Sequence, residues 1–322
     1  MPWTKMGAFH FSLRRSEAWA EDRRLADIRW SLEALDPRAH LRCGVFAASD
    51  GANVPYRFWK AREPRAVLLL LHGACDYSGA FDEIAPKLAE RGFTCLAYDQ
   101  RGFGATASRG EWAGTDRMVD DVSDAITFLR GRVGNTLPLF ILGESMGGAM
   151  AVHAAAAFPN RGIDGLVLLA PGALASTLWK LIYRWSARLI HALARNCEIV
   201  FERESGNELS ASSAIRLMSD PLVMRGIKPE IFMGLLALGT DAVRKAREVR
   251  IPVLTLIAGR DDLLRKACIR HLHDNLAGEK TCRLVEDAPH LLLHWRGGDS
   301  VLREARHWLL NRLMCRQQAR PM

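Results

Sequence analysis

The segment Leu139-Phe140-Ile141-Leu142-Gly143-Glu144-Ser145-Met146-Gly147-Gly148 decides how the rest of this 322-residue chain is organised. Its first four residues are apolar and predict a buried β-strand, and the small residues of 149–158 predict a tightly packed helix. Ser145 stands between them in the pattern G-x-S-x-G, where Gly143 and Gly147 leave room for strand and helix to approach. This context lifts a serine hydroxyl above the sheet edge, so Ser145 is predicted to be a nucleophile.

The composition is that of a globular chain, with 49% hydrophobic and 25% charged residues. The apolar runs are too short to cross a bilayer, and the N-terminus lacks the pattern of a secretion signal. Seven cysteines occur without C-x-x-C spacing, which favours reduced thiols and no zinc or other metal. We expect a cytoplasmic protein, with peripheral membrane contact left open and no cofactor required.

The formal charge of +8 is concentrated in two segments. Residues 173–250 hold 12 basic and eight acidic side chains, and residues 303–322 hold five and one. Nucleic acid is not indicated, because no binding motif or long basic run accompanies this charge. An anionic membrane surface or an anionic substrate fits the charge better.

Apolar runs and helical patterns alternate along most of the chain. Strands are predicted at 45–48, 54–59, 67–71, 93–99, 139–142, 165–170, 251–258 and 281–286, and helices at 81–91, 116–130, 146–158, 263–276 and 299–316. This order predicts an α/β fold with a mostly parallel central sheet and helices on both faces. The alternation stops across 173–250, which predicts a helical cap or lid inserted above a core formed by 42–172 and 251–322. Residues 1–41 are an N-terminal extension, with a possible helix over 16–35.

The clearest element of the insertion is an amphipathic helix from Leu178 to Arg195. Leu178, Leu181 and Trp185 share its apolar face, and basic residues recur every four positions on the other face. Ordinary packing over the core is one interpretation of this face, and contact with acyl chains or a bilayer is the other. Further helices are predicted within 229–238 and 241–247.

A serine nucleophile needs a histidine base that is oriented by a carboxylate. In a parallel sheet of this kind the acid and then the histidine follow later strand ends. Asp261 and Asp262 follow the strand 251–258, and we favour Asp262 as the acid, with Asp261 facing solvent or capping the turn. After the strand 281–286 we favour His290 over His294 as the base.

The negative oxygen of a tetrahedral intermediate needs preorganised N–H donors. One donor is predicted to be the backbone amide of Met146, and the other the backbone amide of Ala74, in the loop after 67–71. His72 in the same loop is expected to brace it by hydrogen bonding rather than to act as a second base.

Several motifs together resemble the monoacylglycerol lipase and lysophospholipase branch of the α/β-hydrolases. They are His72-Gly73-Ala74 with Tyr77-Ser78-Gly79, Asp99-Gln100-Arg101-Gly102-Phe103-Gly104, Gly143-Glu144-Ser145-Met146-Gly147-Gly148 and Asp220-Pro221-Leu222. The resemblance runs from about 44 to 310 and implies an α/β-hydrolase fold with a lid over an acyl pocket. It also implies Ser145, Asp262 and His290 as catalytic residues and Ala74 and Met146 as oxyanion donors. Cys75 and Asp76 depart from the glycine and glutamate that relatives often carry.

The function expected from these features is hydrolysis of an ester of a single-chain lipid, a monoacylglycerol or lysophospholipid, through an acyl-enzyme. A small-ester esterase or a peptidase-like hydrolase would use the same three side chains. Glu198, Glu202, Glu204 and Glu208 could grip a substrate amine and would favour the peptidase. A binding module without catalysis is the third alternative, although retention of every triad position argues against it.

Overall fold

The apolar runs of the sequence form the strands of one central sheet in the computed structural model, which describes residues 9–15, 42–174, 197–203 and 208–318. The strands of the described residues form this sheet and a second, three-stranded sheet with the order β1-β8-β9. They are β1 (Phe9–Arg15), β2 (Arg42–Ala47), β3 (Asn53–Trp59), β4 (Ala66–Leu71), β5 (Phe93–Tyr98), β6 (Leu139–Glu144), β7 (Ile163–Leu169), β8 (Cys197–Arg203), β9 (Gly226–Ile227), β10 (Val253–Ala258) and β11 (Lys280–Val285). The central sheet has the order β11-β10-β7-β6-β4-β5-β3-β2.

The central sheet is parallel except at one edge. Strands β5, β4, β6, β7, β10 and β11 pair in parallel, whereas β3 pairs antiparallel with both β5 and β2. Every residue of β4 and β6 is buried, as expected for strands that are covered on both faces. The prediction of a mostly parallel α/β sheet is confirmed.

The α-helices of the described residues are α1 (Ala85–Ala89), α2 (Thr115–Val133), α3 (Met146–Ala157), α4 (Ala211–Ser219), α5 (Pro229–Lys245), α6 (Lys266–Asn275) and α7 (Gly298–Gln318). The face of α2 that the sequence predicts to point inward is buried. The predicted helix 81–91 is shorter than expected, because Pro86 fits only within the first turn of α1.

The two helices predicted within 229–247 are one continuous helix, α5. Gly239 does not break it. A Cβ at Gly239 would lie 3.2 Å from the carbonyl oxygen of Gly172, so the missing side chain lets α5 approach the loop that follows β7. This close contact brings the insertion down onto the core.

The insertion 173–250 also contains strands, which the prediction of a purely helical cap did not include. Strand β8 lies between β9 and β1, and all seven residues of β1 pair antiparallel with it, from Phe9 opposite Arg203 to Arg15 opposite Cys197. The N-terminal extension therefore adds a strand to the cap. The predicted helices 16–35 and 178–195, with Leu178, Leu181 and Trp185, lie outside the described residues.

Within the described part of the chain, no helix has the length and apolar character needed to cross a membrane.

Candidate active site

Ser145 occupies a strained turn between β6 and α3. Its backbone has φ 52° and ψ −116°, in a region that residues with a side chain rarely adopt. Two hydrogen bonds hold this turn against the end of β7. The amide of Ser145 donates to the carbonyl of Leu169 at 2.9 Å, and the carbonyl of Ser145 accepts from the amide of Gly172 at 2.7 Å. The surrounding backbone thus fixes a conformation that would cost about 1–3 kcal/mol on its own.

The glycines on either side of Ser145 are required by close backbone contacts. A Cβ at Gly143 would overlap the carbonyl oxygen of Gly147, and a Cβ at Gly147 would overlap the carbonyl oxygen of Leu71 on β4. Any side chain at these positions would push α3 away from the sheet and move Ser145.

Three side chains from separate loops meet above the carboxyl ends of the strands. The hydroxyl Oγ of Ser145 lies 2.8 Å from Nε2 of His290, and Nδ1 of His290 lies 2.8 Å from Oδ2 of Asp261. The side chain of Asp261 is fully buried and that of His290 is 7% exposed. With the carboxylate accepting from Nδ1–H, Nε2 is left to accept a proton from Ser145.

The prediction of Asp262 as the carboxylate partner is wrong, because His290 contacts Asp261. Oδ1 of Asp261 accepts from the amides of Leu263 and Leu264 at 2.9 and 2.7 Å, which turns Oδ2 toward the imidazole. Asp261 therefore caps the turn and contacts His290 with the same carboxylate. Asp262 is exposed to solvent.

The loops that carry Asp261 and His290 are joined to each other. The amide of Gly259 donates to the carbonyl of Val285 at 2.8 Å, and the amide of Arg260 donates to that of Ala288 at 2.9 Å. Because β10 and β11 are neighbours in the sheet, these bonds extend their pairing into the loops.

Ala74 and Met146 line the same pocket as Ser145 and His290. Met146 is the first residue of α3, so its N–H has no acceptor within the helix and lies at the positive end of the helix dipole. The loop of Ala74 lies directly against the nucleophile, since a Cβ at Gly73 would be 3.5 Å from Cβ of Ser145. Cys75 has φ 67°, a backbone conformation that glycine adopts more easily than a residue with a side chain.

His72 braces this loop. Its Nδ1 lies 2.8 Å from the carbonyl oxygen of Gly73, and its Nε2 accepts from the amide of Gln100 at 2.9 Å. Burial lowers the pKa of His72, so the neutral ring is favoured. The carbonyl of His72 accepts in turn from the side-chain amide of Gln100 at 2.8 Å.

Beside Ser145 the pocket has a volume of about 580 Å³ and a mainly apolar wall. Its lining includes Leu174, Val200, Leu217, Phe232, Leu235 and Leu291. Val200 belongs to β8, Leu217 to α4, and Phe232 and Leu235 to α5, so the insertion forms much of the wall. Arg225 also lines this pocket and is exposed. None of the described lining residues is acidic.

A buried ion pair joins the insertion to the loop of Ala74. Arg216 on α4 contacts Asp76 through two hydrogen bonds of 2.5 and 2.9 Å. Burial alone would raise the pKa of Asp76, but the charge and hydrogen bonds of Arg216 hold it below its usual range. The amide of Met224 donates to the carbonyl of Cys75 at 2.8 Å. Neither this hydrogen bond nor the Arg216–Asp76 ion pair was predicted from the sequence.

The motif Asp220-Pro221-Leu222 lies at the end of α4 and meets two core loops. Oδ2 of Asp220 accepts from the Tyr77 hydroxyl at 2.6 Å. Arg109 donates to the carbonyls of Pro221 and Leu222 at 2.8 Å each. These bonds give the motif a structural role in seating the insertion.

Of the four acidic residues that would favour a peptidase, the two whose side chains are described, Glu198 and Glu208, do not line the pocket. Glu198 is buried beside β9, where a Cβ at Gly226 would lie 3.0 Å from its Oε2. Glu208 forms an ion pair with Arg260 at 2.5 Å. The side chain of Glu202 and all of Glu204 are outside the described residues. Among described residues no group of three or more metal-binding side chains occurs.

Comparisons with known proteins identify the family of this chain. Residues 62–294 match the Hydrolase_4 family, described as serine aminopeptidase, S33. The chain is 31% identical to human monoglyceride lipase over 261 residues, covering 76% of this chain and 82% of that protein. It is 30% identical to mouse monoglyceride lipase over 284 residues, covering 82% and 89%.

A solved structure of a soluble variant of monoglyceride lipase from Saccharomyces cerevisiae, in complex with a substrate analogue, shares the fold. The TM-score is 0.68 at 19% identity, over 84% of this chain and 94% of that one. The chain therefore belongs to the serine aminopeptidase S33 family of the α/β-hydrolases, in its monoacylglycerol lipase-like branch.

Proposed function

We propose that this protein is a serine hydrolase that cleaves the carboxylic ester of a single-chain lipid, a monoacylglycerol or a lysophospholipid. One observation carries the proposal: the continuous contact Ser145–His290–Asp261 opens into a mainly apolar pocket of about 580 Å³. The similarity to monoglyceride lipases at 30–31% identity supports the choice of substrate.

In the proposed reaction His290 takes the proton of Ser145 as its oxygen attacks the ester carbonyl. The carbonyl oxygen becomes negative and accepts hydrogen bonds from the amides of Ala74 and Met146. Asp261 stabilises the imidazolium, which then protonates the leaving alcohol. Water attacks the acyl-Ser145 by the same route, releases the fatty acid and restores the serine.

The test has two parts. A fluorophosphonate probe should label the wild-type protein and leave Ser145→Ala unlabelled, and an ester series from acetyl to long acyl groups should give higher kcat/KM for long chains. Preference for acetyl esters would contradict the lipid substrate and favour a small-ester esterase. Cleavage of aminoacyl amides would favour the peptidase, and an unlabelled wild type would favour a binding module.

We also propose a cytoplasmic location with peripheral contact to an anionic membrane. Support for the membrane contact comes from α4, where Met218 lines the pocket and is 71% exposed, and where Ile215 is 67% exposed. Arg225 lies beside them and donates to the carbonyl of Met218 at 2.6 Å. Apolar side chains next to a positive charge suit an anionic bilayer surface.

Co-sedimentation with vesicles tests this contact. Binding to vesicles with anionic lipid should exceed binding to neutral vesicles and should weaken with salt. The variant Ile215→Ser, which changes an exposed residue of α4 outside the pocket lining, should bind less than wild type while its activity on monomeric esters is kept. Equal sedimentation with both vesicle types would refute the contact.

A further inference from the structure

The residue just before the nucleophile carries a buried carboxylate that faces the histidine loop. Glu144 is the last residue of β6, and its side chain is 3% exposed. Its Oε1 accepts from the amide of Leu293 at 3.1 Å, and its Oε2 lies 3.5 Å from Nε2 of His294. The segment 290–294, which begins with the triad histidine, is therefore held against the end of the nucleophile strand.

The opposite side of the same segment is attached to the cap. Nδ1 of His294 lies 3.3 Å from the hydroxyl of Ser213 on α4, and the carbonyl of His294 accepts from the amide of Ser210 at 2.9 Å. Two residues later, the amide of Arg296 donates to the carbonyl of Glu208 at 3.0 Å. Glu144 thus completes a connection that runs from the nucleophile strand through the histidine loop to the cap.

Burying a carboxyl group at this position is energetically unfavourable unless the group forms compensating contacts. Removing a carboxylate from water disfavours its charged form, and burial raises the pKa of Glu144 to about 7. The titratable and charged groups around it are His290, His294, Asp76 and Arg216. Protonated or ionised, the group still offers an oxygen to the amide of Leu293.

We propose that Glu144 is a positioning residue, whose side chain sets the place of the His290 loop relative to Ser145. The inference rests on the proposed function. It goes beyond that function, because it assigns to Glu144, which is outside the triad, the contact that keeps Oγ of Ser145 2.8 Å from Nε2 of His290. The effect of such a residue falls on kcat, since misplacing a base by an ångström costs up to about 100-fold in rate.

The experiment compares Glu144→Ala and Glu144→Met with Glu144→Gln. Alanine and methionine remove the acceptor of the Leu293 amide, whereas glutamine keeps an acceptor oxygen at nearly the same volume. Glu286→Gln, an exposed change in the loop that precedes His290, is the matched control. Rates are normalised to active sites that have been titrated with a fluorophosphonate, so that unfolded protein is not counted.

The expected result is a drop in kcat of about tenfold or more for Glu144→Ala and Glu144→Met, with KM within about twofold of wild type. The rate constant of fluorophosphonate inactivation should fall in parallel. Glu144→Gln should recover most of kcat, and Glu286→Gln should match wild type.

A purely structural role would lower the melting temperature of these variants and leave kcat per active site unchanged, which would overturn the proposal. Insolubility of both Glu144→Ala and Glu144→Met would also count against it, because positioning requires a folded variant with impaired chemistry. Loss of labelling in the wild type would instead refute the proposed function, so the two failures are distinguishable.

Discussion

Replacing Asp261 with asparagine should nearly abolish turnover, whereas the same change at Asp262 should have little effect. The amide oxygen of the new asparagine would stay with the two backbone donors of Leu263 and Leu264, which are now 2.9 and 2.7 Å from Oδ1. Its NH₂ group would then point at Nδ1 of His290. That nitrogen would become an acceptor, and Nε2 would carry the proton that faces Ser145.

The magnitude follows from this change of tautomer. A ring that already carries a proton on Nε2 cannot accept one from the serine, and such a change lowers kcat by roughly 10⁴-fold, equivalent to about 5.4 kcal/mol. Stability should suffer much less, because the amide keeps both backbone donors satisfied. Losing the charge-assisted bond to His290 costs about 1–3 kcal/mol in a buried site.

The assay measures kcat on a long-chain p-nitrophenyl ester and the rate of fluorophosphonate inactivation for both variants. Thermal melts confirm that each variant is folded. Asp262→Asn is the matched control, since it makes the same chemical change one residue away on an exposed side chain. The reasoning is refuted if Asp261→Asn keeps more than about a tenth of the wild-type kcat, or if Asp262→Asn loses as much.

Three further outcomes can be measured. Arg216→Gln should lower the free energy of unfolding by roughly 3–5 kcal/mol, because it leaves the buried Asp76 carboxylate unpaired, and adding Asp76→Asn should restore part of the loss in urea titrations. Glu144→Gln should gain stability relative to wild type as pH rises. Between pH 4.5, the usual pKa of a glutamate, and about pH 7, folded wild type keeps a proton on Glu144 that the unfolded chain has lost, so the free energy of unfolding of wild type falls across this window by about 3 kcal/mol. Equal urea midpoints for the two proteins at pH 5 and again at pH 8 would contradict this. Deleting residues 1–15 should raise KM for dodecanoyl esters more than for butanoyl esters, because β1 covers the edge of β8 and Val200 of β8 lines the pocket; an unchanged chain-length profile would argue against it.

The fold could be predicted from the sequence because its signals are local. Most of the parallel strands are short apolar runs with turn residues at their ends, and the inward face of α2 is visible at helical spacing. The nucleophile turn is equally local, since Gly143 and Gly147 are set by contacts within a few residues and with the adjacent strand. Patterns of this kind can be recognised in the sequence without knowledge of the rest of the structure.

The choice between Asp261 and Asp262 could not be made in the same way. Both residues follow the same strand and both are carboxylates, so spacing fits either one. The decision depends on backbone donors that are placed only when the loop has folded, namely the amides of Leu263 and Leu264. A side chain that must cap its own turn is held rigidly, and this rigidity also suits it to orient an imidazole.

The partners of the buried charged residues could not be predicted from the sequence either, because the two members of each pair lie far apart along the chain. Asp76 and Arg216 are 140 residues apart, and Glu144 and Leu293 are 149 apart. A usable signal did exist for Glu144. A charged residue inside a segment that otherwise reads as fully buried requires a partner, although its identity cannot be read from the pattern.

The loop that carries Ala74 is held by contacts from the cap, so the cap is a structural part of the site. Cys75 adopts a left-handed conformation that a non-glycine residue holds only when its neighbours impose it. The neighbours that do so come from the cap: Met224 donates to the carbonyl of Cys75, and Arg216 clamps the next side chain, Asp76. Because the proposed oxyanion donors must be fixed before the reaction begins, a change in this part of the cap should alter the rate of acylation as well as access to the pocket.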